Sequence, residues 1–304
     1  MSKLYRNRTL LTLLVLATMT ACSHKEYSFE IDAPPKYSSE HIFKSMSIKD
    51  FKSDNSRYES SIISMLKSGI AKEGYIKIVP NGEDATLSGV LHVGSVQIES
   101  KTDSYKCTRT RDGKDYETTC YRYTYKKSHT LKVDYTLKNN RDNSVIYGDS
   151  LSESFDDSWS SSSSASDAKM DAKTDIQIIS DSLKTIADKI IKAVTPHKET
   201  VSRELQEGDS DKVKLGITYI ENGRVEQALA IWDQCTVKLK DPENVAASYY
   251  NIGVIKESTG EYSNAFNLYS KANELLPKEE LYIKAMTRAE NLSKRVKKVR
   301  EWKR

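Results

Sequence analysis

Cysteine and histidine offer this 304-residue chain its most reactive side chains, four of the first and five of the second. Cys107 and Cys120 flank Asp112-Gly113-Lys114-Asp115, residue types that turn a chain. A loop centred between Gly113 and Lys114 sets residue 107 opposite residue 120. Facing Cα atoms then lie about 4.5–5.5 Å apart, a span that suits a cross-strand disulfide. The alternative is two free thiols on a hairpin. A zinc site needs four ligands, and the pair has no histidine beside it. Cys235 has no evident partner. His24, His41, His92, His129 and His197 include no two at metal-ligand spacing on an expected helix. The chain has no nucleophile elbow, phosphate-binding loop or paired-histidine zinc motif. Asp156 and Asp157 sit beside a serine run and read as solvated. The expectation is a chain without catalytic residues, metal or cofactor, one that binds rather than catalyses.

Cys22 ends a different pattern. Lys3, Arg6 and Arg8 precede an apolar run over residues 10–17, and Met19-Thr20-Ala21 precedes the cysteine. A basic stretch, a short apolar core and small residues make a secretory signal. The core is too short to span a bilayer, which takes about 20 residues. The cysteine at the cut resembles the lipobox of bacterial lipoproteins. The other reading is a soluble secretory signal with a chance cysteine. The resemblance implies removal of residues 1–21 and lipidation of Cys22 by a diacylglycerol on its thiol and a further acyl chain, such as palmitate, on its amine. With Ser23 rather than Asp in second place, it also implies anchorage in the outer membrane, on its periplasmic face.

The bulk composition agrees with export. Net charge is +4, of which Lys3, Arg6 and Arg8 hold +3, leaving +1 after cleavage. Near-neutral charge argues against a nucleic-acid binder. Mean hydropathy is −0.62, and no second apolar run approaches membrane length. Residues 22–40 are polar, contain Pro34-Pro35 and read as a lipidated tether. Residues 41–198 read as an α+β domain, a mostly antiparallel sheet with two covering helices. In it, residues 41–51 alternate as a strand. Tyr58, Ile62, Leu66, Gly69 and Ile70 keep helical spacing up to Gly74. Residues 75–79 and 84–99 are strands, and residues 105–110 and 116–125 form the cysteine hairpin. Leu131, Val133, Tyr135 and Leu137 alternate with Lys132, Asp134, Thr136 and Lys138, as expected for a sheet with one wet face. Residues 144–148 form a further strand, and serines 160–164 read as a flexible loop. Ile176, Ile179, Leu183, Ile186, Ala187, Ile190 and Val194 mark an amphipathic helix stopped by Pro196. It either covers the sheet or binds a partner.

The order of these elements, with Asp84-Ala85-Thr86-Leu87-Ser88-Gly89-Val90-Leu91 after a helix and short strand, resembles the lipoprotein domain of the curli-secretion channel family. It also resembles the lipoprotein activators of penicillin-binding proteins. The likeness covers about half the chain. Channel members insert amphipathic hairpins into a membrane. Here Lys106, Arg109, Arg111, Lys114 and Arg122 put too much charge on the hairpin for a lipid-facing strand.

Residues 205–304 read as an all-α domain. Leu215, Gly216, Tyr219, Gly223, Ala228, Trp232 and Cys235 sit at the offsets of a tetratricopeptide repeat (209–242). Ile252, Gly253, Gly260, Ala265, Tyr269, Ala272 and Pro277 repeat them (246–279). Lys256 departs from the pattern where the first unit has Tyr219. Two unrelated helical hairpins are the alternative. Cys235 takes a small packed position and reads as a buried thiol. A helix through Leu281, Ile283, Met286, Ala289 and Leu292 reads as a cap. Its basic end, 294–304, is either a solvated, fraying helix end or a contact for anionic lipid. The resemblance implies a concave protein-binding groove lined by Val213, Ile217, Ile220, Tyr250, Asn251, Val254 and Glu257.

Together these readings describe a lipid-anchored periplasmic adaptor that holds envelope proteins during assembly or secretion of a surface structure. A peptidoglycan-synthase activator is the second expectation, although a tether of about 18 residues reaches at most roughly 60 Å. A subunit of an oligomeric export channel is the third.

Overall fold

The computed structural model describes residues 25–37, 42–53, 55–81 and 84–303. Its strands are β1 (Glu26–Ala33), β2 (Ser45–Lys52), β3 (Lys77–Ile78), β4 (Ala85–Val93), β5 (Gln97–Arg111), β6 (Lys114–Asn139), β7 (Val145–Ser161) and β8 (His197–Glu204). Its helices are α1 (Ser56–Glu73), α2 (Ala165–Met170), α3 (Asp175–Val194), α4 (Asp211–Glu221), α5 (Val225–Lys238), α6 (Pro242–Ser258), α7 (Tyr262–Leu275) and α8 (Glu280–Lys303). The architecture is an α+β region followed by a helical region of five helices. Among the described residues, no helix is long and apolar enough to cross a membrane.

The 26-residue strand β6 is the spine of the main sheet. The order is β3-β2-β4-β6-β5, with β7 on the other side of β6. Residues 131–139 of β6 pair with β4, and residues 114–128 pair with β5 along the same edge. β2 runs parallel to β3 and β4, and the remaining pairs are antiparallel. Side chains alternate between the two faces of a strand, so one face of β6 carries Leu131, Val133, Tyr135 and Leu137, all buried. α1 and α3 cover that face. Asn55 caps α1 by accepting from the Arg57 N–H at 3.0 Å, and Gly74 ends it in the left-handed conformation, φ 76°. Thr174 and Gln177 form a capping box at the start of α3. Ile179, Leu183, Ile186 and Ile190 fill the space between α3 and the sheet. Each is worth about 1.5–3 kcal/mol of burial.

Three local expectations are corrected. Residues 22–40 are not all tether, because 26–33 form β1 and pair with β8 from Glu26↔Glu204 to Ala33↔His197. Tyr27, Phe29, Ile31 and Ala33 alternate with Glu26, Ser28, Glu30 and Asp32, which is the period of a half-buried strand. Serines 160 and 161 end β7 instead of lying in a loop, and Ser164 caps α2 by accepting from the Asp167 N–H. The basic C-terminal helix does not fray. Leu292, Val296, Val299 and Trp302 are buried along one side of it. Trp302 packs edge-on against Phe43, ring centroids 5.2 Å apart, inside the core of the α+β region.

In the helical region, α4/α5 and α6/α7 are hairpins with matching close approaches. At Gly216 a Cβ would collide with Trp232, and at Gly253 it would stand 2.5 Å from Tyr269. Both pairs are separated by 16 residues, and the second lies 37 after the first. The two glycines let the large rings cross the partner helix. The Trp232 indole N–H donates to the Val213 carbonyl at 3.0 Å.

Candidate functional site

The seven residues expected to line an open groove are all buried: Val213, Ile217, Ile220, Tyr250, Asn251, Val254 and Glu257. The chain itself covers them, so the expectation of an accessible groove is corrected. The Asn251 amide grips the backbone of Gln206 from both sides, accepting from its N–H and donating to its carbonyl, each at 2.8 Å. Asn244 accepts from the Asp209 and Ser210 N–H groups at 2.9 and 2.7 Å. Two asparagines of α6 thus hold the link between β8 and α4 as a groove would hold an extended peptide. Tyr27 and Phe29 of β1 pack on the same helical core, as does Leu205. The sequence signal for this was present in the amphipathic alternation of β1.

Glu257 is fully buried at the centre of a charged cluster. It accepts from Arg203 Nε of β8 at 2.7 Å, from Arg288 Nε of α8 at 3.0 Å and from the Tyr269 hydroxyl of α7 at 2.8 Å. Burial, with Glu257 beside it, pushes the Tyr269 hydroxyl far above the ordinary tyrosine value. Burial alone would lower the pKa of Arg288, but Glu257 outweighs it and raises it. The cluster thus ties β8, α6, α7 and α8 together through one buried carboxylate.

Cys107 and Cys120 are joined by a disulfide with Cα atoms 5.8 Å apart. The register that carries it is corrected. Cys107 faces Thr118, and Cys120 faces Tyr105. The bridge is therefore diagonal on one face of the hairpin. The reason is the turn: Asp112 and Gly113 alone form it, with φ 55° and 73°. Two positive φ values define the two-residue type I′ loop, which pairs Arg111 directly with Lys114.

That hairpin projects. β7 accompanies β6 only from Tyr123, paired with Ser161, onward. Residues 114–122 pair with β5 alone and extend about 30 Å past the three-stranded sheet. Tyr105, Tyr116 and Tyr121 are exposed on this arm. Arg109 and Arg122 lie on the disulfide face with Tyr105 and Tyr116, and the Arg122 guanidinium sits 5.7 Å from the Tyr105 ring. Lys106 and Glu117 lie on the other face. Both faces carry charge, so neither has the composition of a lipid-facing strand.

The other candidate residues stand apart. Cys22, His24 and His41 lie outside the described residues. Cys235 is buried, and burial raises its thiol pKa, which keeps it a thiol. His92 is 3.5 Å from Asp134 on the exposed sheet face. His129 is buried, with its pKa lowered by that burial. The His197 ring contacts the Thr195 carbonyl at 3.1 Å. Among the described residues no three histidine, cysteine or acidic side chains gather as a metal site.

No family model matches the chain, and no curated protein matches it. Among the solved structures similar to it, two match about half of the chain. One is a minor lipoprotein from Acinetobacter baumannii, 12% identical, covering 52% of this chain and 99% of that one, with a TM-score of 0.27. The other is a PelC dodecamer from Paraburkholderia phytofirmans, 11% identical, covering 55% and 98%, also with a TM-score of 0.27. Likeness this slight carries no functional weight.

Proposed function

We propose that this chain is a lipid-anchored envelope adaptor that meets its partner with the β5–β6 arm. The carrying observation is the arm itself: a two-stranded, disulfide-stapled projection with three exposed tyrosines and charge on both faces. Tyrosine and arginine are the residue types that concentrate binding energy in protein interfaces. The disulfide reduces the ordering cost of binding by holding the arm in one shape. Anchorage through Cys22 in the outer membrane, facing the periplasm, accounts for the leader pattern and for a disulfide formed in an oxidising compartment. The two helical hairpins are read as tetratricopeptide units whose groove has been turned inward to hold the chain's own ribbon. Assembly or secretion of a surface structure remains the setting.

In-cell photo-crosslinking from Tyr105, Tyr116 and Tyr121 tests this reading, with Tyr250 and Val254 as buried controls. Capture of one envelope protein by the arm positions, absent from the controls, supports it. Capture from Tyr250 in place of the arm returns the partner site to the helical groove. Capture of only a second copy of the chain replaces the adaptor reading with that of an oligomer subunit.

A further inference from the structure

We infer that the hairpin-turn end of the helical region lies against the anionic surface of the membrane that holds the anchor. This rests on the proposed lipidation of Cys22. Only Ser23 and His24 separate Cys22 from Lys25, and Lys25 is fixed. Its carbonyl accepts from the Leu205 N–H at 2.7 Å, and its ammonium meets Glu221 at 2.5 Å. Glu221 is the last residue of α4. Three residues span at most about 11 Å, so an anchor on Cys22 is tied within that distance of Lys25, whose side chain reaches the end of α4. Formation of β1 has consumed the spacer that the composition suggested, and the folded body cannot stand off the bilayer.

The second hairpin turn lies at the same end. Gly223 and Gly260 occupy equivalent places 37 residues apart, and the Arg224 and Glu261 N–H groups close the turns onto the Tyr219 and Lys256 carbonyls. Residues 260–264 share a groove of about 320 Å³ with Lys297 and Arg300 of α8. Arg224, Lys297 and Arg300 are exposed. Glu221 and Glu261 at this end are paired with Lys25 and Lys256, and Glu226 is exposed beside Arg224, so with Lys298 the exposed cations outnumber the acids and anionic lipid headgroups complement them. Each cation near such a surface strengthens binding about fivefold.

The test uses the lipidated full chain in vesicles of phosphatidylethanolamine and phosphatidylglycerol doped with a headgroup nitroxide. A fluorophore is placed at Asn222→Cys, or at Glu226→Cys as a second position, and at Lys114→Cys on the arm tip. The expected result is strong quenching at 222 and 226 and weak quenching at 114. Combined Arg224→Ala, Lys297→Ala and Arg300→Ala substitutions should weaken the quenching at 222. Equal, weak quenching at all three labelled sites of membrane-bound protein overturns the orientation. Undiminished quenching in the triple variant overturns the role of charge. Lipidation is read separately: a Cys22→Ser chain that stays in the membrane fraction after an alkaline wash removes the premise and not the geometry.

Discussion

Two carboxylates show how single residues set the stability of this chain. Glu257 has its charge taken out of water and returned to it only by Arg203, Arg288 and Tyr269. Breaking such a buried arrangement from one side leaves uncompensated charge, at a cost of about 3–5 kcal/mol. Glu257→Gln should therefore lower the unfolding free energy by that amount in denaturant titrations, and a loss under about 1 kcal/mol would contradict the cement role. Asp84 is the second case. Burial would raise its pKa, but the Lys44 and Ser45 N–H groups and the Ser45 hydroxyl, all at 2.9 Å, together with Arg141, hold it below the ordinary aspartate value. A depressed carboxylate stabilises the fold above its unfolded pKa of about 3.9 and ceases to do so as pH falls through the folded value. Asp84→Asn should cost about 1–2 kcal/mol at neutral pH. The gap from the parent chain should close below about pH 4, and a gap constant down to pH 2 would refute the charge-based account.

Among the elements, the arm has the clearest separable stability. Its disulfide closes a loop of about 14 residues, which is worth about 3 kcal/mol in the chain-entropy picture. The arm buries little, so that energy should act locally. With both Cys107 and Cys120 replaced by serine, amide exchange in residues 105–120 should accelerate about a hundredfold, and the melting temperature of the body should hardly move. Exchange mapped by mass spectrometry checks both halves, and a large fall in melting temperature would show that the arm is packed against something. The hairpin also shows what sequence reading can and cannot reach. Cysteine spacing gave the pair, but the register depended on whether two or four residues make the turn. The Asp-Gly dipeptide was the decisive signal, since only a two-residue loop needs positive φ twice. The core alternation of β6 and the helices α1 and α3 were legible because burial imposes a period. The extension of β6 and β7 to 26 and 17 residues was not, because their outer parts are wet on both faces and keep no apolar period. β1 is masked in the sequence by its neighbours: Pro34-Pro35 and the interleaved charges give the segment the composition of a linker although four apolar side chains alternate within it. The expected groove residues fall on α4 and α6, but one chain's pattern does not reveal that its own ribbon packs against these helices.

At the scale of the whole molecule, the two ends of the chain join its two regions. β1 and β8 form a ribbon against α6 and α8. α8 then continues past the ribbon until Trp302 enters the core of the α+β region beside Tyr37 and Phe43. Lys44 donates to the Trp302 carbonyl, and Lys303 and Lys198 both meet Asp32. A helix that ended at the helical region would leave an arm-bearing sheet swinging on the ribbon. With Trp302 seated, the arm-bearing sheet is held at a fixed angle to the helical region. Trp302→Ala should remove about 3–5 kcal/mol from the α+β region, the usual loss for a buried aromatic. The helical region keeps its own core of Trp232, Tyr250 and Tyr269, so its stability should change less. Calorimetry of the parent chain should therefore give one transition and that of Trp302→Ala two, the lower belonging to the sheet. If the variant still melts in a single transition shifted by less than a degree, the contact is incidental and the ribbon alone couples the regions.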